Sequence, residues 1–134
     1  MTPLSRRIIL TLVALSVCGI LTTPQAVNSS PYGRIVEMHL EAVPHNLENA
    51  TCPATINFNG FIRTDGPNTV TYGITRSDGG RGEGGELHFT RAESLRVHFT
   101  WRLGAPGQTY NEWEQIGSGT MRSNRAEFHL HCRR

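Results

Sequence analysis

Apolar and polar residues alternate in short runs along most of the chain, and this two-residue period is typical of half-buried β-strands. The clearest run is 94–103, where the apolar residues Leu95, Val97, Phe99, Trp101 and Leu103 occupy every second position. After the first 26 residues, no ten-residue stretch keeps the period of an amphipathic helix. The pattern predicts seven strands, at 34–43, 54–64, 69–76, 86–91, 94–103, 109–116 and 125–132.

Two stretches between these runs are predicted to be connections. Residues 46–53 follow Pro44, and residues 77–85 contain five glycines, too many to hold a fixed shape at low entropic cost. The segment from Gly80 to Gly85 matches a dinucleotide-binding fingerprint, but that chemistry needs a strand before it and a helix after it. Because a strand is predicted to follow, we interpret residues 77–85 as a mobile hairpin loop.

The first 26 residues follow a different pattern, that of a secretory signal peptide. Arg6 and Arg7 precede an apolar run from residue 8 to residue 21, and the segment ends at Ala26. The run is shorter than the roughly 20 residues that a membrane-spanning helix needs. We therefore expect a signal peptide at 1–26 and a domain at 27–134 without a membrane span. The location would be secreted, periplasmic or cell-envelope, by either the twin-arginine or the general route.

Removing the signal peptide changes the charge and the cysteine count. The 13 basic residues are all arginine, and the loss of Arg6 and Arg7 leaves 11 against 11 acidic residues. A neutral chain without a basic cluster is a poor match for nucleic-acid binding. Cys18 would leave with the signal, so we predict that Cys52 and Cys132 form a disulfide in an oxidising compartment. Closing a loop of about 80 residues would destabilise the unfolded chain by about 4 kcal/mol.

Seven strands in about 100 residues are the size of an immunoglobulin-type sandwich. In that topology the second predicted strand begins, and the seventh ends, at the same pole, where Cys52 and Cys132 would meet. The segments CPATINFNG at 52–60, SDG at 77–79 and SNRAEF at 123–128 resemble small secreted Ig-like domains of bacteria. The resemblance covers nearly the whole mature chain and implies an all-β, immunoglobulin-like antiparallel β-sandwich. It implies no activity.

Histidines are the candidate metal ligands. His129 and His131 are two apart on a strand and would project from one face about 7 Å apart. If the first strand neighbours the last, His39 would complete a zinc or copper set with a nearby glutamate. His88 and His98, on consecutive strands, form a second outward-facing pair. The alternative interpretation is that all of these are ordinary solvent-facing residues and that the protein has no cofactor.

Aromatic side chains are candidates for a binding platform. Tyr110 with Trp113, or an exposed Phe61, would suit a carbohydrate, although core packing is the preferred interpretation for Trp101 and for Trp113.

The sequence lacks the wider nucleophile-elbow pattern and leaves no cysteine free, so we expect no enzyme. The leading hypothesis is an exported, non-enzymatic Ig-like module, free or attached to the cell envelope, that binds a protein partner. The alternative is a metal-binding secreted protein that uses His39, His129 and His131.

Overall fold

The computed structural model describes residues 31–134, and these form nine β-strands. The strands are β1 (Ile35–Val43), β2 (Asn46–Ala50), β3 (Ala54–Thr64), β4 (Asn68–Arg76), β5 (Arg81–Phe89), β6 (Ser94–Leu103), β7 (Thr109–Ser118), β8 (Met121–Arg122) and β9 (Ala126–Cys132). The predicted signal peptide at 1–26 lies outside the described residues. No helix within residues 31–134 has the length and apolar character that a membrane crossing requires.

The strands form two sheets that pack as a sandwich. One sheet has three antiparallel strands in the order β1-β3-β6. The other has six, with the order β2-β9-β7-β4-β5 and the short β8 beside β7. Among the strands of residues 31–134, only β2 and β9 pair in parallel. The predicted all-β, immunoglobulin-like sandwich is therefore confirmed.

The core lies between the sheets and contains the alternate apolar residues of the predicted strands. Ile56, Phe58 and Ile62 of β3 have no exposed surface. The ring of Phe58 packs edge-on against that of Phe128 on β9, with 5.9 Å between ring centroids. Burial of one such side chain contributes about 1.5–3 kcal/mol, so this layer accounts for much of the stability that holds the two sheets together.

Strand β2 lies where the sequence predicts a connection. After Pro44 the chain leaves the three-stranded sheet and joins the edge of the six-stranded sheet beside β9. The N–H of His129 donates to the carbonyl of His45 over 2.8 Å. The N–H of Arg133 donates to the carbonyl of Ala50 over 3.0 Å. The five residues of β2 are mostly polar and exposed. Backbone pairing with β9 therefore forms this strand, and its sequence shows no alternation of apolar and polar residues.

Strand β5 corrects the prediction of a mobile loop at 77–85. The turn ends at residue 80, and the glycine-rich segment pairs with β4 from Arg81 onward. A Cβ atom on Gly82 would lie 2.8 Å from the side chain of Ile74, and one on Gly85 would lie 2.7 Å from the hydroxyl of Tyr72. The glycines therefore leave room for two large side chains of β4, which is a packing role that sequence periodicity cannot detect.

The disulfide between Cys52 and Cys132 joins the start of β3 to the end of β9, with 5.7 Å between the two Cα atoms. This confirms the predicted pairing at one pole of the sandwich. Gly104 has a φ of 110° and lies against the bridge, since a Cβ atom there would be 2.8 Å from both sulfur atoms. A larger residue at position 104 would clash with the disulfide and would also have to adopt a backbone conformation that favours glycine.

A side chain covers part of the outer edge of β1. The carboxamide of Asn124 accepts a hydrogen bond from the N–H of Leu40 over 2.9 Å and donates one to its carbonyl over 2.8 Å. Asn124 follows Ser123, a buried residue whose hydroxyl accepts from the N–H of Ile116. The segment before β9 thus connects the two sheets along this side.

Candidate functional site

A mixed polar and aromatic surface lies on the outer side of the three-stranded sheet. It consists of two neighbouring rows of cross-strand partners, which we call the Phe61 face: His39, Phe61 and Arg96 in one row, and Glu41, Asn59 and His98 in the next. These side chains line a shallow, open depression of about 730 Å³. Because every second residue of a strand points to the same side, all six side chains lie on one side of the sheet.

Phe61 lies at the centre of this face, on the middle strand. Its ring is half-buried and lies 5.8 Å from the imidazole of His39 between centroids. The neighbouring Gly60 allows β1 to approach closely, since a Cβ atom there would lie 2.2 Å from the carbonyl oxygen of His39. Close pairing of β1 and β3 therefore holds the aromatic centre in a fixed position.

The charges around Phe61 are unevenly paired. On the next row, Arg63 and Glu37 form an ion pair at 2.8 Å. Nδ1 of His98 lies 2.8 Å from the Asn59 side-chain oxygen. Arg96 is exposed and forms no ion pair with any residue of 31–134. The face therefore offers a rigid aromatic centre beside a cation with unused hydrogen-bond donors.

The predicted metal ligands are not brought together. His39 lies on β1 in the three-stranded sheet, whereas His129 and His131 lie on β9 in the six-stranded sheet, whose neighbours are β2 and β7. The first strand contacts the last but is not paired with it in one sheet. Across residues 31–134, no group of three or more His, Cys, Asp or Glu side chains is arranged to hold a metal ion.

Four histidines instead hydrogen-bond to the side chain directly opposite them on the neighbouring strand. The pairs are His88 with Thr69, His98 with Asn59, His129 with Asn111 and His131 with Thr109, at 2.7–3.1 Å. Such pairs stabilise a sheet by roughly 0.2–1 kcal/mol each. The proposed second pair is also divided, since His88 and His98 belong to different sheets.

Tyr110 and Trp113 do not form a common platform. Tyr110 packs against the core, and its hydroxyl accepts a hydrogen bond from the N–H of Ala105 over 3.0 Å. Trp113 is half-buried on the outer side of β7, where the guanidinium of Arg125 lies 4.3 Å from its ring centroid. The preferred core placement is correct for Trp101, which is 7% exposed, and wrong for Trp113. Phe61 is the remaining aromatic candidate.

A charged group inside the core was missed by the sequence analysis. Glu114 has no exposed surface, and its Oε1 atom accepts a hydrogen bond from Nε of Arg76 over 2.8 Å. The guanidinium of Arg76 lies 4.8 Å from the ring centroid of Trp101 on the opposite sheet. The inward positions of β7 thus include glutamates, and this is why its apolar pattern looks irregular. The sequence feature that could have indicated an inward-facing acidic group is the spacing of Glu112 and Glu114, which are two residues apart on one strand.

Burial dominates the chemistry of this carboxyl. Removal from water raises the pKa of Glu114, the hydrogen bond and charge of Arg76 lower it in part, and Asp78 raises it again. Ser77 donates a hydrogen bond to the carboxylate of Glu112 nearby. Because Glu114 itself has no exposed surface, we assign this carboxyl to the packing of the sandwich.

No protein-family model and no curated protein sequence matches the chain. Solved structures do match. The CARDB domain of a Pyrococcus furiosus protein, in complex with di-metal ions, is 10% identical with a TM-score of 0.51, covering 76% of this chain and 94% of that one. The C-terminal domain of wzt is 14% identical with a TM-score of 0.39, covering 76% and 74% of the two chains. The putative ApaA protein of Bordetella pertussis is 16% identical with a TM-score of 0.31, covering 77% and 97%. The likeness is one of fold alone. The first of these supports an immunoglobulin-like sandwich and gives no information about activity.

Proposed function

We propose that this chain is an exported, non-enzymatic binding module that recognises a protein partner through the Phe61 face. The observation that carries the proposal is the half-buried ring of Phe61 at the centre of the sheet, directly opposite Arg96, whose guanidinium forms no ion pair with any residue of 31–134. Aromatic residues and arginine are enriched at the energetic centres of protein interfaces. The surrounding polar residues would form the wet rim that such centres have.

Rigidity supports the same interpretation. The three strands of this sheet are paired along nearly their whole length, and the disulfide fixes the start of β3 to the other sheet. A surface that is already ordered loses little conformational entropy when a partner binds.

Export is supported by the disulfide and by the pattern of the first 26 residues. A disulfide persists in an oxidising compartment and is rare in the cytosol. If the chain is exported and cut as proposed, the mature protein recovered from periplasmic or envelope fractions will lack the segment from Met1 to about Ala26. A full-length protein confined to the cytosolic fraction would contradict this part of the proposal.

The binding role is tested by chemical cross-linking of the domain to envelope extract, followed by mass spectrometry. Three proteins are compared: the wild type, Phe61→Ser, and Met121→Ser, which removes an exposed apolar side chain from the other sheet. We expect one specific partner to be captured by the wild type and by Met121→Ser and to be lost with Phe61→Ser. Equal capture by all three proteins would place the interface elsewhere.

Metal binding by His39, His129 and His131 stays a prediction with weaker support, because only His129 and His131 share a strand face. The Pyrococcus furiosus domain was solved with di-metal ions, but the likeness to it is one of fold. Calorimetric titration with zinc and with copper tests the prediction: a stoichiometric signal that disappears in the His129→Ala, His131→Ala double variant would support it. The absence of any signal would remove it.

A further inference from the structure

The edge of β6 that points away from β3 in the plane of the sheet is open. β6 is the last strand of the three-stranded sheet, and within residues 31–134 no strand pairs with its far side. The N–H of Thr64 donates to the carbonyl of Glu93 over 3.1 Å, which fixes the alternation of the antiparallel ladder. Counting from Glu93, the odd-numbered residues bond to β3, so the N–H and C=O groups of Arg96, His98, Thr100 and Arg102 point away from the sheet.

The two edges of this sheet differ. On β1 the N–H and C=O groups of Leu40, which point away from β3 in the plane of the sheet, bond to the Asn124 side chain. β6 has ten residues, no proline and no register shift against β3. Folded proteins usually shield such an edge with charged side chains, proline, a bulge or a covering segment, because it is a template for strand addition. Of these, β6 has the charged side chains of Arg96 and Arg102 but neither a proline nor a bulge.

The edge of β6 is basic. Arg96, His98 and Arg102 are exposed, they alternate along the strand on the outer side of the sheet, and none forms an ion pair with another residue of 31–134. No acidic residue is present in β6, and none in β3 faces it. An added strand would place the side chains on the same face of the sheet directly opposite Arg96 and Arg102.

The inward side chains of β6 are only partly covered. Leu95, Phe99 and Leu103 are half-buried, although their neighbours Val97 and Trp101 are buried. A strand that paired with β6 would bring its inward residues against this apolar row. Alternating apolar and acidic residues would therefore satisfy both sides of the new strand.

We propose that the β6 edge binds an extended acidic segment of another protein by strand addition. Paired antiparallel, the segment would set two acidic residues, six positions apart, opposite Arg96 and Arg102, which are about 20 Å apart along the strand. Apolar residues would occupy the alternate positions. This inference rests on the proposed function and specifies the partner of the same sheet.

A second copy of this chain fits the edge poorly. If β6 paired with β6, outward Arg, His and Thr side chains would face one another, and like charges directly opposite are destabilising. Residues 1–30 contain no Asp or Glu, so they lack the charges that the edge would bind. An acidic segment of a different protein is therefore the occupant that the charges favour.

The test uses the disulfide-bonded protein and a fluorescent ten-residue peptide with Glu at two outward positions six apart, Thr at the other outward positions and Val at the inward ones. Binding is followed by fluorescence anisotropy. We expect saturable binding that weakens at least tenfold in the Arg96→Glu, Arg102→Glu variant. The Arg81→Glu, Arg134→Glu variant has the same change of charge elsewhere and should bind as the wild type does. A peptide with Lys in place of Glu should show the reverse preference.

Backbone pairing is tested separately. N-methylation of the outward peptide residues removes the donors that would reach β6 and should abolish binding, whereas N-methylation of the inward residues should not. Amide exchange at Arg96, His98, Thr100 and Arg102 should slow when the unmodified peptide is added.

Absence of binding by the wild type, unchanged binding by the charge-reversed variant, or binding of the peptide that is N-methylated at the outward residues would each overturn the inference. Self-association of the chain that Arg96→Glu and Arg102→Glu abolish would overturn it in favour of a second copy. If the peptide fails while partner capture still depends on Phe61, the inference falls and the proposed function stands.

Discussion

Replacing Arg76 by Met would leave the Glu114 carboxylate in the core without its charged partner. Over 2.8 Å and at an effective dielectric constant of about 20, the attraction between the two groups is about 6 kcal/mol, and desolvation offsets several kcal/mol of it for each ion. Removing one partner of such a pair typically costs about 3–5 kcal/mol, because the other charge stays buried. We expect Arg76→Met to lower the free energy of unfolding by about that amount.

The double variant Arg76→Met, Glu114→Leu provides the control. It removes both charges and fills the space with apolar side chains, so its stability should return to within about 1–2 kcal/mol of the wild type, since apolar replacements of buried pairs are often neutral. Urea unfolding monitored by tryptophan fluorescence measures all the variants. A double variant that is less stable than Arg76→Met would refute the idea that the unpaired carboxylate causes the loss.

The pH dependence gives an independent check. A carboxyl whose pKa is higher in the folded protein than in the unfolded chain binds more protons when folded, so its contribution to stability falls as pH rises from its ordinary value of 4.5 through the raised value. We expect this fall to vanish in Glu114→Gln and to extend to higher pH in Arg76→Met. The pKa of Asp65 is lowered, first by the backbone hydrogen bond from Arg34, so its effect appears only below 3.8. Measurements between about pH 4.5 and 8 therefore avoid the range of Asp65, and the difference between the wild type and Glu114→Gln gives the part due to Glu114. Identical slopes in all variants would contradict the assignment.

Three further changes test the framework of the fold. Asn124→Ala removes both hydrogen bonds to the backbone of Leu40 and should lower the free energy of unfolding by about 2 kcal/mol in urea; an unchanged midpoint would mean that water replaces them. The Cys52→Ala, Cys132→Ala double variant should lose about 4 kcal/mol in the same assay, and the reduced wild type should match it. Gly60→Ala places a Cβ atom 2.2 Å from a carbonyl oxygen of β1, and calorimetry should show a lower melting temperature than for Gly73→Ala, where nothing lies within 4 Å.

The parts of this fold that sequence predicts well are those in which one strand face is uniformly apolar. On β3 and β6 the alternation of large apolar residues directly identifies the inward side. On β7 the same period is present, but Glu112 and Glu114 occupy inward positions, and Trp113 is held on the outer side by Arg125. An apolar pattern cannot identify such a strand, because the ion pair that makes burial tolerable comes from a different part of the chain.

The candidate site depends even more on long-range pairing. Phe61 can be identified from the sequence as an aromatic candidate, but its neighbours on the face become known only once β1, β3 and β6 are aligned. The metal hypothesis depended on which strand lies beside β9. The chain places β2 there, through five mostly polar residues with no strand signal, and His39 was thereby separated from His129 and His131.

The position of the sulfur bridge also determines how the domain would carry tension. If the chain were pulled from both ends, the load entering at β1 would pass along β1 and β2 to Cys52, cross directly to Cys132, and leave at Arg133. The segment between the cysteines, which the bridge closes over a sequence separation of 80, lies outside this covalent path, and it contains both Phe61 and Arg96. A tethered protein with this disulfide would keep the β3 and β6 residues of the Phe61 face in their folded arrangement under tension.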